Sequence, residues 1–172
     1  CFTLYPENVA VVGGLAKSFA MTGWRMGYCV AHPDVIRAMS TLQSQSTSNI
    51  CSIVQKAAIA ALTGPLDCVE EMRQAFARRR DLCLSNIKTW DKAFCPVPAG
   101  AFYLFPSLSA YYNEAVPNST ALSEALLTEA GIATVPGVAF GEDRCVRLSY
   151  ATSDETLEKA LTKMGDFLKK LG

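Results

Sequence analysis

The sequence predicts an α/β fold, because short apolar runs of strand length alternate with segments of helical periodicity. Residues 9–12 are a run of Val and Ala that ends at Gly13-Gly14, and residues 26–31 are a second apolar run. Both runs are typical of buried strands. Pro33 then begins a helix at a position that tolerates the missing N–H, and apolar residues continue it at helical spacing.

A long helix is the central feature of the predicted order. One helix is predicted over residues 49–62, and from about residue 65 to 90 apolar side chains recur at helical spacing beside a charged outer face. A helix of this length suits an element shared by two domains. We therefore expect residues 1–84 to belong to a larger domain and residues 85–172 to form a small C-terminal domain.

Shorter elements follow the long helix. Apolar strands are predicted within residues 102–105 and 145–149, and helices over residues 121–130 and 154–171. Ser153 is the predicted N-cap of the last helix. This mixture of short strands and two helices predicts an α+β arrangement for the C-terminal part.

The composition is that of a globular protein. The chain has 172 residues, of which 50% are hydrophobic and 19% charged, so it has ample material for a core. Sixteen basic residues balance sixteen acidic ones, and the longest basic run is Arg78-Arg79-Arg80, so neither nucleic acid nor an anionic membrane is expected as a partner. No run approaches the length of a membrane-spanning helix, and no signal peptide is recognisable. We expect a soluble, cytoplasmic protein.

Seven cysteines are scattered along the chain without a C-x-x-C pair. An odd number without such pairs suits a reducing compartment and predicts neither a disulfide framework nor a metal site. Most of these cysteines are expected to be small buried hydrophobic residues. Because the chain begins at Cys1 and not at methionine, we also expect it to be a fragment of a longer protein.

One lysine and one arginine stand in an apolar segment flanked by glycines, GGLAKSFAMTGWRMGY, residues 13–28. A lysine partly withdrawn from water favours its neutral amine, so Lys17 can attack a carbonyl and form a Schiff base. The guanidinium of Arg25 carries a fixed fork of donors suited to phosphate. Together they point to pyridoxal phosphate (PLP). Spacing alone would favour a solvated lysine and an arginine engaged in a salt bridge.

Three segments resemble the class I/II aminotransferases, the aspartate aminotransferase family of PLP enzymes with fold type I. AKSFAMTGWRMGY is similar to the family's Schiff-base lysine segment, and PAGAFYLF, residues 98–105, is similar to its P-x-G-A-F-Y strand near the start of the small domain. PGVAFG, residues 136–141, followed by CVRLSYA, residues 145–151, resembles its C-terminal region. The resemblance implies the C-terminal part of that fold: the end of the large-domain sheet plus an α+β small domain.

The resemblance implies a role for three charged residues. Lys17 would be the catalytic residue and would form the Schiff base with PLP, and Arg25 would contact the cofactor phosphate. Arg147 would hold the substrate α-carboxylate through two parallel hydrogen bonds. A surface salt bridge is the alternative for a strand arginine. The implied reaction moves an amino group between an amino acid and a 2-oxo acid, with Lys17 moving the proton at Cα.

Two weaker cofactor contacts are also implied. Gly14 lies where some relatives carry a phosphate-binding serine, so that contact is either lost here or made by a backbone N–H. Residues 46–48, Ser-Thr-Ser, lie where relatives offer a hydroxyl to the phosphate of the neighbouring subunit. Thr47 is therefore a candidate cofactor ligand, and the full-length protein is expected to be a homodimer. A loop N-cap is the alternative for this segment.

Other parts of the family's site precede the lysine, including the aspartate that pairs with the pyridine nitrogen. We therefore expect this chain to be inactive alone. A lyase or a cyclising synthase on the same fold would need the same lysine and arginines. A PLP-fold regulator without turnover is the alternative from a different class. The side chain of the substrate cannot be read from these residues.

Overall fold

A computed structural model describes residues 3–172, which divide into two compact units. The first unit ends at Glu71, and the second runs from Met72 to Gly172. Cys1, one of the seven cysteines, lies outside the described residues. The expected domain boundary after residue 84 stays a prediction.

The first unit begins with a hairpin. Strand β1 (Val11–Gly14) pairs antiparallel with strand β2 (Gly27–Val30), so that Gly14 lies opposite Gly27. A Cβ atom on Gly27 would lie 3.0 Å from the carbonyl oxygen of Gly13, so the glycines allow the two strands to approach closely. The predicted strands are confirmed with ends shifted by one or two residues, but the expectation that they are buried is wrong, because most of their residues are exposed in this chain.

Three helices follow the hairpin: α1 (Pro33–Ser46), α2 (Ser52–Thr63) and α3 (Asp67–Ile87). Pro33 occupies the first turn of α1, and the His32 side chain caps this helix by accepting a hydrogen bond from the Asp34 N–H at 3.3 Å. Helix α2 ends at Gly64. All three helices lie within or close to the predicted ranges, because caps and apolar spacing are local signals.

The second unit holds a small three-stranded sheet in the order β3-β5-β4. Strand β3 is Tyr103–Leu104, β4 is Val135–Pro136 and β5 is Val146–Ser149, and both pairings are antiparallel. The central strand, β5, is therefore the one that carries Arg147. Strands β3 and β5 were predicted from the apolar runs within residues 102–105 and 145–149, whereas β4 was not, because Val135–Pro136 is not part of such a run.

The second unit also contains two helices that follow β3 in the chain. Helix α4 (Ser119–Ala125) continues into a π-helical turn (Leu126–Ala130), and helix α5 is Asp154–Leu171. Ser153 caps α5 as predicted, because its Oγ accepts a hydrogen bond from the Thr156 N–H at 3.2 Å. The N-terminal end of α5 also forms hydrogen bonds with α3.

The basic run of α3 contacts helix α5. The Nε atoms of Arg78 and Arg79 donate to the two carboxylate oxygens of Asp154 at 3.0 and 2.8 Å. The hydrogen bonds from Arg79 and then Arg78 hold the pKa of Asp154 below its usual range. The run therefore joins the long helix to the first turn of α5.

Burial differs sharply between the units. Of the described residues up to Glu71, only Leu15 and Ala58 are buried. The second unit has a continuous core whose most enclosed members include Ile87, Leu104, Leu108, Leu122, Leu126, Val146, Met164 and Leu168.

The cysteines are less buried than expected. Cys83 and Cys145 are buried, whereas Cys51 and Cys68 are exposed and Cys29 and Cys95 are intermediate. The expectation that most of them are buried is wrong for the described residues, because the cysteines on the surfaces of α2 and α3 face water.

Candidate functional site

The loop that joins β1 to β2, residues 15–26, carries both Lys17 and Arg25. Leu15 anchors this loop and is 1% exposed. Its N–H donates to the Met26 carbonyl at 3.4 Å, and its carbonyl accepts a hydrogen bond from the Met21 N–H at 3.2 Å. The turn at Lys17 is closed by a hydrogen bond of 3.0 Å from the Ala20 N–H to the Lys17 carbonyl. The hairpin and its buried leucine therefore place both charged residues on one loop.

The Lys17 side chain is exposed in this chain. The sequence suggested a lysine partly withdrawn from water, and within the described residues that shielding is not present. Burial within this chain therefore does not support the argument for a neutral Lys17 amine, and the expectation that Lys17 forms the Schiff base rests on the family resemblance.

Arg25 has an unusual backbone conformation. Its φ is 52°, in the left-handed region, which costs about 1–2 kcal/mol for a residue with a Cβ atom. The Nη1 atom donates to the Thr22 carbonyl at 3.0 Å, which fixes the guanidinium beside the turn Thr22–Trp24. Such conformations are concentrated at functional sites, where the surrounding structure enforces them.

Gly14 is not required sterically at the end of β1. A Cβ atom there would lie 3.4 Å from the Met26 carbonyl oxygen, which is an ordinary contact. The backbone at this position therefore has room for a Cβ atom. The glycine leaves only the backbone N–H as a donor at this position.

The segment with Thr47 ends a helix and does not begin one. The Thr47 N–H donates to the Gln43 carbonyl at 3.1 Å, and Ser48 follows with a left-handed φ of 57°. The alternative of a loop N-cap is therefore wrong, since this is the C-cap of α1. The Ser46 hydroxyl donates to the Leu42 carbonyl at 2.9 Å, whereas within residues 3–172 the Thr47 hydroxyl makes no hydrogen bond.

Arg147 lies on the central strand of the second unit, opposite Val135. Its guanidinium carbon is 4.4 Å from the ring centroid of Tyr103 and 4.7 Å from that of Phe140. None of the ion pairs formed among the described residues involves Arg147. Two aromatic rings therefore contact a guanidinium whose donors have no carboxylate partner in this part of the chain.

The neighbouring carboxylate belongs to a different arginine. Glu142 receives hydrogen bonds from Arg144 Nε at 2.8 Å and Nη2 at 2.6 Å. These side-chain bonds, with the Arg144 N–H bond, lower the pKa of Glu142 to about 2. The pairing occupies the glutamate and leaves Arg147 without an acidic partner on the same loop.

The loop before β5 is tightly folded. Gly137 donates to the Cys145 carbonyl at 2.9 Å, and a Cβ atom on Gly137 would lie 2.2 Å from the carbonyl oxygens of both Cys145 and Glu142. Only glycine fits there. The loop also has a partner in α4, because the Ser119 hydroxyl donates to Asp143 and accepts from the Val138 N–H.

The charged residues were predicted from the sequence, whereas the residues that hold them in position were not. Lys17 and Arg25 share a loop of the first unit, and Arg147 lies in the second unit. The aromatic residues beside Arg147 stand within the quoted motifs, so their letters were visible, whereas the Ser119–Asp143 contact joins positions 24 residues apart. No group of residues suited to a metal ion occurs in the described part of the chain.

The fold and these segments define the C-terminal part of the fold type I PLP-dependent transferase fold. The structure matches the aspartate aminotransferase of Rhizobium meliloti with a TM-score of 0.91 and 38% identity, covering 95% of this chain and 42% of that one. It matches the aromatic aminotransferase of Pyrococcus horikoshii with a TM-score of 0.89 and 38% identity, covering 97% of this chain and 45% of that one.

The sequence gives the family. The model of aminotransferase class I and II matches residues 2–164, and this chain belongs to that family. It is similar to the aspartate/prephenate aminotransferase of Cereibacter sphaeroides, with 44% identity over 167 residues. That alignment covers 94% of this chain and 42% of the relative, so the chain spans well under half of the relative's length. Among the described helices, none is both long and apolar enough to cross a membrane.

Proposed function

We propose that the protein to which this chain belongs is a PLP-dependent aminotransferase that moves an amino group between an amino acid and a 2-oxo acid. The observation that carries the proposal is the loop between β1 and β2, which presents an exposed lysine and a braced arginine together. Family membership supports it. Because the chain spans 42% of its relative, we propose that residues outside the chain complete the site.

The residues present fit the cofactor. Lys17 offers an amine on an exposed residue, Arg25 offers a guanidinium for phosphate, and Gly14 is a candidate to offer its backbone N–H. When bound, PLP supplies a carbonyl carbon to which amines attach and a ring that accepts the electron pair of a breaking Cα–H bond. The hydroxyl of Thr47 is a candidate phosphate donor toward a neighbouring subunit.

The chain's own residues then have separate tasks. Arg25 binds and neutralises phosphate, and Arg147 binds the α-carboxylate in the plane of its guanidinium. This grip fixes the orientation of the substrate's Cα–H bond. The Nζ atom of Lys17 takes the proton from Cα, holds it and releases it again. Each task needs the residue type found there.

The proposal extends to the location, the oligomeric state and the domain boundary of the protein. The family resemblance supports a cytoplasmic homodimer and a small domain that begins at about residue 85. A lyase or cyclising synthase would also use Lys17, Arg25 and Arg147, and a PLP-fold regulator would bind cofactor without turnover. Amino-acid-dependent formation of a 2-oxo acid, coupled to amination of a second oxo acid, distinguishes aminotransfer from all three.

The central test maps the reactive lysine. We expect borohydride reduction of the PLP-loaded protein to leave a pyridoxyl group on Lys17, identified by peptide mass spectrometry. Lys17→Ala should abolish the label and the activity, whereas the matched variant Lys56→Ala, in α2, should keep both. Arg25→Ala should lower PLP affinity by roughly 1.5–3 kcal/mol, the value of a hydrogen bond to a charged group, and still allow labelling at high PLP. A label on Lys56 or Lys88 would refute the assignment.

A further inference from the structure

The guanidinium of Arg147 has an aromatic ring on each of two neighbouring elements. Tyr103 comes from β3, where it is paired with Ser149, two residues along the strand from Arg147, so it reaches the arginine diagonally across the sheet. Phe140 comes from the turn Gly137–Phe140 that precedes β5. The ring of Phe105 packs edge-on against Phe140 at a centroid distance of 5.9 Å. The arginine is thus confined from two independent parts of the unit.

The turn that carries Phe140 is itself fastened to α4 by a buried hydroxyl. Ser119, fully buried, donates from Oγ to Asp143 Oδ1 at 2.6 Å and accepts from the Val138 N–H at 3.2 Å. Its own N–H also donates to Asp143 Oδ1 at 3.1 Å. Ser119 therefore links Val138, within the turn that carries Phe140, to Asp143, which follows that turn.

We infer that Tyr103 and Phe140 are positioning residues for the carboxylate-binding arginine, and that Ser119 and Asp143 position Phe140. The inference rests on the proposed function of Arg147. The guanidinium carbon lies over both rings, at centroid distances of 4.4 and 4.7 Å, and no ion pair among the described residues occupies its N–H groups, so these donors are left for a carboxylate. The two ring contacts restrict the position from which the guanidinium donates to both carboxylate oxygens.

The effect on KM and kcat depends on the steps at which Arg147 contacts the α-carboxylate. The α-carboxylate is held both in the substrate complex and in the transition state, so loosening the arginine mainly weakens substrate binding. Loss of one ring should therefore mainly raise KM, with a smaller fall in kcat because the same grip orients the Cα–H bond. The effect should appear for both the amino acid and the 2-oxo acid, because both carry the same carboxylate.

The experiment compares Phe140→Leu with Phe94→Leu in the PLP-loaded enzyme. Phe94 is 70% exposed in the same unit and serves as the matched control. We expect Phe140→Leu to raise KM for both substrates by about 2-fold to 5-fold, the value of one cation–π contact at an exposed site, since Phe140 is 49% exposed, while Phe94→Leu leaves KM unchanged. Tyr103→Leu should act similarly, and Tyr103→Phe, which keeps the ring, should restore the parent KM.

A double-variant cycle tests the serine. Ser119→Ala should raise KM by a smaller factor, and Ser119→Ala combined with Phe140→Leu should match Phe140→Leu alone, because the serine acts through the ring. A purely structural serine would give additive effects, which would overturn its positioning role.

A direct readout needs neither cofactor nor activity. In the NMR spectrum of the 172-residue chain, ring currents should shift the Arg147 Nε–H signal upfield, and Phe140→Leu should reduce that shift while Phe94→Leu preserves it. If Arg147→Lys leaves KM unchanged, the proposed carboxylate site fails. If Arg147→Lys raises KM and Phe140→Leu does not, the proposed function survives and the positioning inference is wrong.

Discussion

At the scale of single residues, Cys83 is a thiol whose chemistry is set by its surroundings. It is 3% exposed and borders a cavity of about 250 Å³ lined also by residues of β5 and α5. Burial, followed by the neighbouring Cys95, raises the pKa of the Cys83 thiol to about 11. The protonated thiol therefore behaves at neutral pH as a small apolar side chain.

This raised pKa predicts an alkaline loss of stability. The pKa of the thiol is higher in the folded state than its ordinary value of 9.0, so its stabilising contribution is complete below about pH 9 and is lost as the pH rises toward 11. Urea denaturation at pH 8 and pH 10.5 should show this fall in the free energy of unfolding. Cys83→Ala should show a smaller fall, because Cys95 and Cys145, whose pKa values are also raised, still contribute.

The control for this prediction is an exposed thiol. Cys51→Ala removes a thiol at the start of α2 and should leave the pH dependence of the parent unchanged. An equal fall in Cys83→Ala and in the parent would contradict the assignment of the effect to Cys83.

Residues of the site differed in how far the sequence predicted them. Lys17 and Arg25 were found because their chemistry and their loop are encoded within one short segment. Ser119 was not, because a buried serine acquires its role only when α4 is packed against the loop that holds Asp143. The exposure of Lys17 could not be predicted either, since it depends on which residues cover the loop.

At the scale of elements, the helices were predicted better than the strands. Pro33 and Ser153 mark helix starts by their own chemistry, and apolar spacing extends each helix from there. Strand β4 is not part of an apolar run, and the helix predicted over residues 121–130 gave no sign that its last turn, Leu126–Ala130, is π-helical. Both are fixed by packing in the second unit.

Helix α5 contains a glycine whose replacement should reverse the usual rule. Alanine in a helix interior normally stabilises by about 1 kcal/mol relative to glycine. At Gly165, however, a Cβ atom would lie 2.7 Å from Nε1 of Trp90, which is 5% exposed and cannot move away freely. We expect Gly165→Ala to destabilise the chain by about 1–2 kcal/mol in chemical denaturation.

The indole provides the control for this prediction. In a Trp90→Leu background the contact is absent, so Gly165→Ala should stabilise relative to that background by up to about 1 kcal/mol. Destabilisation of the same size in both backgrounds would show that the indole is not the cause.

At the scale of the whole molecule, the two units differ in what holds them together. The second unit packs one apolar core from α3, the sheet and α5. The first has only two buried residues among those described, while Val12, Leu42 and Ile53 are more than two-thirds exposed. A unit with so little buried apolar surface has little to offset its conformational entropy.

Limited proteolysis of the 172-residue chain should therefore act unevenly. We expect rapid cleavage before the long helix and a persistent fragment that begins within or just before α3 and extends to the C-terminus, identified by mass spectrometry. Leu122→Ala, in the core of the second unit, should make that fragment short-lived, whereas Leu42→Ala, on an exposed face, should not change it. A persistent fragment that contains Lys17 would contradict this prediction.

The position of β5 in the sheet also orders events during synthesis. The hairpin of β1 and β2 is closed by the loop 15–26, so its contacts form between neighbouring segments. Strand β5 also pairs with β3, which lies much earlier in the chain, as in the pair of Tyr103 with Ser149, and such non-local pairing closes later and more slowly. A nascent chain stopped before residue 146 therefore already has the lysine loop but not the arginine strand. The residues proposed to bind the cofactor, Lys17 and Arg25, are therefore synthesised and placed on their loop first. Arg147, proposed to bind the substrate carboxylate, is added later with β5.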